Sequence, residues 1–425
     1  MIDIKLLREN PDLVKENIKK KFQNEKLKLI DEFIKKDEEW RKLKGEIDSL
    51  RAERNKISKE ISELKKSGKD AKLLLKKAKI IPKQIEKIEK KANKIQEEIN
   101  SSLIQIPNII HKSVPIGKSQ KENVEIKKWG KIKKFDFEVK SHLELGESLN
   151  LFDFNSSADT SGNGFYYMQG DLALLNQALI RFAIEKMVSK GYLYVEVPLM
   201  IKKEIIDNVV DLNEKENMIY KIENENLYLI GTSEHSLIGR YIDKIIPESK
   251  LPIKHTSYSM CFRKEIGSHG IDEKGIFRNH QFNKVEMIII CQKEESMKFF
   301  EEMKNITIEI FKDLEIQIRE LLICSGDLGN MKHIQVDIEA YNPRKKEYFE
   351  VGSCSNLTEA QSRKLKIRVD GRGERYFPHT LNNTAIATSR ALVAIMENYQ
   401  TKEGFIEIPK VLQKYMFGKK IIKNN

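Results

Sequence analysis

The chain has 425 residues, 33% of them charged and 40% hydrophobic, a balance that supports a folded core and argues against a disordered polyelectrolyte. Its apolar runs are short, as at Met287 to Cys291, and none nears the roughly 20 residues needed to cross a membrane. The net charge is +12, and residues 1–110, with 29 Lys and Arg against 20 Asp and Glu, carry +9 of it. A basic excess concentrated in one region is what a polyanionic partner requires.

Met1-Ile2-Asp3-Ile4-Lys5 develops no apolar stretch, so no secretory leader is expected. Cys261, Cys291, Cys324 and Cys354 are far apart and form no CxxC pair. That spacing argues against a zinc knuckle or a disulfide framework and fits buried, reduced thiols in a cytoplasmic protein.

Along the chain, Asn10-Pro11 is the first clear helix start, since Asn can cap the free amides and Pro is tolerated in the first turn. From Trp40 a heptad seam appears: Trp40, Ile47, Arg54 and Ile61 are each followed three residues later by Leu43, Leu50, Ile57 and Leu64. Ser67-Gly68-Lys69-Asp70 breaks it, and a second seam interleaves Leu74, Ile81, Ile88 and Ile95 with Ala78, Ile85, Ala92 and Ile99. Two such helices joined by a tight turn must fold back as an antiparallel coiled-coil hairpin. Pro82 is expected either to kink the second helix or to mark a late start. A hairpin of this kind serves as well for a dimerisation rod as for a nucleic-acid arm, because charged outer positions are normal for any solvated coil.

Ile106-Pro107-Asn108 ends the hairpin, giving a helical domain over 1–110, a Ser/Gly/Lys-rich linker over 111–130 and a further domain over 131–425. In that last domain short β-rich runs (193–197, 227–230, 284–290, 334–340) alternate with helical segments at 171–190, 294–314 and 384–400. The pattern predicts an α+β fold on a mainly antiparallel sheet. Neither GxGxxG nor GxxxxGK[ST] occurs, so the two commonest nucleotide loops are absent from the sequence.

Three segments carry chemistry. Gly191-Tyr192-Leu193-Tyr194-Val195-Glu196-Val197-Pro198 reads as a helix turning into a strand that stops at proline. Cys261-Phe262-Arg263-Lys264-Glu265 and then Phe277-Arg278-Asn279-His280-Gln281-Phe282-Asn283-Lys284-Val285-Glu286 give a strand ending in FRxE and a returning strand with HQF and a glutamate. This pair of strands resembles motif 2 of the class II aminoacyl-tRNA synthetases, and the resemblance implies that Arg263 neutralises charge on an α-phosphate attacked by a carboxylate. It likewise implies that Glu265 accepts from an adenine amino group and that Phe282 offers the base a stacking face. Finally, Thr380-Leu381-Asn382-Asn383-Thr384-Ala385-Ile386-Ala387-Thr388-Ser389-Arg390 leads into a helix, Ala391 to Asn398. An arginine in a first helical turn opposes the macrodipole unless an anion binds there.

Together these segments resemble motifs 1, 2 and 3 of the class II aminoacyl-tRNA synthetases, with Ala385, Ala387 and Ser389 where many members carry some glycine. Gly231-Thr232-Ser233-Glu234, Cys324-Ser325-Gly326-Asp327-Leu328-Gly329 and Glu350-Val351-Gly352-Ser353-Cys354-Ser355-Asn356 resemble stretches of the seryl-tRNA synthetase family in particular. The resemblance runs from Ile2 to Phe417. It implies that Thr232, Ser233, Glu234, Glu286 and Thr384 bind serine. It implies an ATP site of Arg263, Lys264, Glu265, Asn279, Phe282, Glu350, Val351, Gly352, Ser353 and Arg390. Within these sets it makes Arg263, Glu286 and Arg390 catalytic, and Glu350 and Ser353 ligands of ATP-bound Mg²⁺.

The same resemblance implies a cytoplasmic, ATP-dependent ligase with no membrane partner. It would form seryl-adenylate and esterify the 3′ end of tRNA-Ser, with tRNA-Sec a second candidate. The hairpin would be the arm for the long variable stem of tRNA-Ser, and motif 1 would form a homodimer interface. Two alternatives are a ligase loading an amino acid onto a carrier protein and an inactive RNA-binding paralogue. The first has little use for a long basic hairpin. The second is expected to lose Arg263, Glu286 or Arg390, all of which are present.

Overall fold

The computed structural model describes residues 2–210, 215, 217–265, 275–371 and 373–424. They divide into two compact units, Met1–Ile109 and Ile110–Asn425. Among the described residues no helix is long and apolar enough to cross a membrane.

The first unit is helical. Asp3 caps α1 (Ile4–Glu9) through the Lys5 amide, and Asn10 caps α2 (Pro11–Lys20) by accepting from the Leu13 amide at 3.1 Å. Two long helices follow, α3 (Leu27–Lys66, 40 residues) and α4 (Lys72–Gln105, 34 residues), packed against each other as the expected hairpin. The heptad seam explains the contact. Leu43, Ile47 and Ile57 of α3 and Ile81, Ile85, Ala92, Ile95 and Ile99 of α4 are buried together, whereas Arg54 is exposed. At ~1.5 Å per residue α3 is about 60 Å long. Pro82 lies within α4, which starts ten residues before it, so the late start is excluded. Exposed pairs such as Arg51–Glu89 (2.8 Å) and Lys91–Glu39 (2.7 Å) link the helices, and solvent screening keeps each of them weak. Buried Asp37 has a stronger role: it accepts from Arg8 at 2.6 and 2.9 Å and from Arg41 at 3.0 Å, fastening α1 to α3.

The second unit is built on an eight-stranded sheet. In chain order its strands are β1 (Val124–Trp129), β2 (Leu193–Tyr194), β3 (Ile253–Phe262), β4 (Gln281–Cys291), β5 (Ile318–Leu322), β6 (Ile334–Asn342), β7 (Glu347–Thr358) and β8 (His379–Ala387). Their spatial order is β1-β5-β6-β7-β8-β4-β3-β2, antiparallel throughout except for the β2–β3 pair. Helices α5 (His142–Ser148), α6 (Gly170–Ser189), α7 (Ser233–Gly239), α8 (Ser296–Asp313) and α9 (Thr388–Asn398) accompany it. The buried runs of β4, β6 and β8 form one continuous apolar core with α6, α8 and α9. This is the α+β architecture that the segregation of strands and helices implied.

Three expectations are corrected. The stretch 111–130 is no linker: Val124–Trp129 pairs with β5 as the edge of the main sheet, and the amides of Ser325 and Gly326 donate to Pro115 O and Gly117 O. Its lysines hid the strand pattern, yet lysine is a common residue on a protected sheet edge. The helix expected from 384 starts at Thr388, because Thr384 to Ala387 stay in the β8 ladder against β4. The motif 1 strand, expected over 193–197, keeps only Leu193 and Tyr194, since its sole ladder partner in the sheet is β3 and the pairing ends at Tyr194–Thr256.

Candidate active site

The antiparallel β3–β4 pair sets the site. Register places Cys261 opposite Phe282, Ser259 opposite Lys284 and Ser257 opposite Glu286, so Arg263 emerges just beyond the end of β3 beside the Phe282 ring. Its guanidinium carbon lies 5.3 Å from that ring centroid, and Nε donates to Gly231 O at 3.2 Å. Across the cleft Arg390, in the first turn of α9, donates from Nη1 to Glu350 O (2.9 Å) and Oε2 (3.0 Å) and covers the Phe277 ring at 5.2 Å. Both arginines line one cleft, together with Glu265, Asn279, Phe282, Lys284, Glu350, Val351, Gly352 and Thr384. Asn279 is buried, and among the described residues its Nδ2 has no acceptor.

Several residues expected at the nucleotide have other contacts here. Glu265 faces Arg278 at 3.5 Å with φ at +47°. Of the residues expected at the substrates, Lys264, Ser353, Thr232, Ser233, Glu234 and Glu286 do not line this cleft. Gly352 is needed for space, because a Cβ there would meet Thr307 Cγ2 at 3.0 Å and Thr384 O at 3.2 Å.

Deeper in, three groups converge on one carboxylate oxygen. Thr232 Oγ1 and Thr384 Oγ1 each lie 3.3 Å from Glu286 Oε2, and Lys284 Nζ is 2.7 Å from it. Glu286 is only 2% exposed, so the lysine ammonium neutralises a charge that burial alone could not sustain. Glu234 stands nearby, with Oε1 accepting from Gln361 Nε2 (2.6 Å) and Asn382 Nδ2 (2.7 Å). Burial, and then the charge of Glu286, pushes the Glu234 carboxyl upward. Burial with Arg263 and Lys284 nearby pushes His235 down to about 3, which leaves it neutral. Ser233 is fully buried with its hydroxyl donating to Ser257 O at 3.4 Å, so its side chain fixes α7 to β3 instead of facing the pocket.

On the β6–β7 side, Gln335 Nε2 donates to Asp337 Oδ1 (2.7 Å) and Ser353 Oγ (3.0 Å). Burial and then the charge of Glu350 push Asp337 up to about 7, whereas the charge and hydrogen bond of Arg390 outweigh burial and hold Glu350 below the usual range. Two repelling carboxylates with a hydroxyl alongside are hard oxygen donors suited to a divalent cation. Among the described residues no group of three or more His, Cys, Asp or Glu could hold a metal ion. A cation there would take Glu350, Asp337 and Ser353 oxygens only alongside ligands from phosphate and water.

Sequence reasoning did not assign roles to Lys284, Gln361, Asn382 or Asp337. Strand alternation from Phe282 through Lys284 to Glu286 was the available signal for the first. Gln361 and Asn382 reach Glu234 only through the fold.

Residues 1–110 match the model of the seryl-tRNA synthetase N-terminal domain, and residues 219–399 match that of the tRNA synthetase class II core domain (G, H, P, S and T). The serine–tRNA ligase of Methanospirillum hungatei is 46% identical over 323 residues, which is 75% of this chain and 76% of the relative. The chain belongs to the seryl-tRNA synthetase family. Two solved structures extend the family relationship over the full length. Seryl-tRNA synthetase from Pyrococcus horikoshii complexed with ATP superposes with a TM-score of 0.94 at 41% identity, covering 100% of both chains. The cytoplasmic serine–tRNA ligase of Naegleria fowleri in complex with AMP gives 0.90 at 32% identity, covering 100% of this chain and 99% of that one. The seryl-tRNA synthetase family places the chain among ATP-dependent class II aminoacyl-tRNA ligases.

Proposed function

We propose that the cleft joins L-serine to ATP, forming seryl-adenylate and pyrophosphate, and then transfers the seryl group to the 3′ end of tRNA-Ser. The observation that carries this reading is one cleft lined by Arg263, Arg390, Phe282, Lys284 and Thr384, with Thr384 Oγ1 3.3 Å from the buried Glu286 Oε2 behind it. In the first step the serine carboxylate attacks the α-phosphorus in line, and Arg263 neutralises the growing charge on the phosphoryl oxygens. Arg390 grips the γ-phosphate of a bent ATP, which removes the conflict between its charge and the dipole of α9. Phe282 stacks on adenine, and Asn279 supplies its unused donor. Mg²⁺, when bound with ATP, would draw on Glu350, Ser353 and Asp337 and would neutralise phosphate charge.

Serine's ammonium sits on the Glu286 and Glu234 carboxylates, and its hydroxyl meets this threonine-lined floor. A pocket built to hydrogen-bond that hydroxyl rejects alanine strongly, because its own buried polar groups are left unpaired. In the second step a terminal ribose hydroxyl attacks the activated carbonyl and releases AMP. Positioning and charge neutralisation carry both steps without a dedicated protein base.

Residues 1–110 act as the tRNA arm, with 111–425, edge strand β1 included, as the catalytic domain. The basic hairpin reads the phosphates and shape of the long variable stem, and tRNA-Sec is a second acceptor by the same chemistry. A homodimer forms through motif 1, a reading supported by its apolar Leu193, which is 59% exposed in one chain. The protein works in the cytoplasm. The test is aminoacylation of a tRNA-Ser transcript with radiolabelled serine. Acid-precipitable seryl-tRNA is expected. Transfer of serine to a carrier protein with no charging of tRNA would overturn the proposal.

A further inference from the structure

The two steps leave Lys284 without a role. It is 7% exposed, lines the cleft and rests its ammonium 2.7 Å from Glu286 Oε2. Phe282, Lys284 and Glu286 alternate along β4, so they share one face of the strand at spacings of about 7 Å. An adenylate laid along that face has its base at Phe282 and its amino group at Glu286. The α-phosphoryl group must then lie between them, beside Lys284. Arg263, stacked over Phe282, approaches the same centre from the end of β3.

The Glu286 carboxylate oxygen already takes Thr232, Thr384 and Lys284. Arrival of a substrate ammonium at that carboxylate brings a second positive charge beside the lysine, and like charges that close repel strongly in a partly dry site. The lysine ammonium thus has both a reason to leave and an anion to meet. We propose that Lys284 is a second catalytic cation: it neutralises Glu286 in the empty pocket and swings to a non-bridging α-phosphoryl oxygen when serine and ATP are bound. This rests on the reading of the cleft as a serine- and ATP-binding site. In the step it assists, a serine carboxylate oxygen bonds to the α-phosphorus. The bond from that phosphorus to the bridging oxygen breaks, and pyrophosphate leaves with the electron pair. Lys284 stays protonated throughout.

The test is serine-dependent ATP–pyrophosphate exchange by the full chain carrying K284M or K284Q. The glutamine variant keeps a donor for Glu286 and carries the test if the methionine variant does not fold. The expected result is a fall in kcat on the order of 10²-fold, as for loss of one oxyanion donor, with the KM for ATP within about threefold of the parent. An unchanged kcat with an altered KM for serine would overturn the proposal, because the lysine would then serve only to neutralise Glu286. Absence of exchange by the unsubstituted chain counts against the serine reading itself. Normal exchange by both the parent and the variants counts against Lys284 alone.

Discussion

Alanine at position 263 separates the chemistry of the cleft from its architecture. Among the described residues the Arg263 side chain makes one hydrogen bond, from Nε to Gly231 O at 3.2 Å, and one stacking contact, over Phe282 at 5.3 Å. Losing both costs about 1–2 kcal/mol, which for a unit of this size lowers the melting temperature by only a few degrees. The transition state is another matter. A guanidinium about 4 Å from a phosphoryl oxygen, at an effective dielectric near 20, contributes about 4 kcal/mol, or roughly 10³ in rate. R263A should therefore lose 10²–10³-fold, on the order of that estimate, in serine-dependent ATP–pyrophosphate exchange while still melting cooperatively. Exchange within tenfold of the parent by a cooperatively folded R263A would refute the assignment of Arg263 to the α-phosphate.

Glu234 should trade stability for function. Its carboxyl is raised by burial and by Glu286, so any stability linked to it is complete at acid pH and is lost as pH rises through the folded value. E234Q should melt a few degrees higher than the parent at pH 8, with a smaller gain at pH 5, and should activate serine at least ~10²-fold more slowly. A lower melting temperature at pH 8 would contradict this. Deleting residues 35–100 cuts the hairpin where Lys36 and Glu98 face each other at 3.1 Å, so the shortened helices can be rejoined. The truncated protein should keep serine activation and lose charging of tRNA-Ser, and charging by the full chain should weaken steeply with salt. Undiminished charging by the truncated protein would dismiss the arm. D337N should raise the Mg²⁺ concentration for half-maximal exchange several-fold without changing the KM for serine, and an unchanged Mg²⁺ dependence would detach Asp337 from the metal.

What the sequence revealed depended on period and on contiguity. The Leu43–Ile47–Ile57 and Ile81–Ile85–Ala92 seams were legible because a coiled coil repeats the same contact many times, so Arg54 and Pro82 could not obscure it. Arg263, Phe282, Glu286 and Arg390 were legible because they sit in short contiguous strings. Gln361 and Asn382 were not, since they meet Glu234 across sequence separations of 127 and 148 residues. Local pattern also misplaced the start of α9. Small residues from Thr384 to Ala387 fit a helix turn as well as a strand, and only the ladder with β4 decides between them. Val124–Trp129 failed for a related reason: an edge strand needs lysines, and lysines resemble a linker.

The account stands on one cleft that binds serine and ATP together. Purified full-length protein, tested with each amino acid in turn for ATP–pyrophosphate exchange, measures that directly. Rapid exchange with serine, and at least ~10³-fold slower exchange with alanine, is the predicted result. Equal rates with serine and alanine, or exchange driven by a different amino acid, would contradict it.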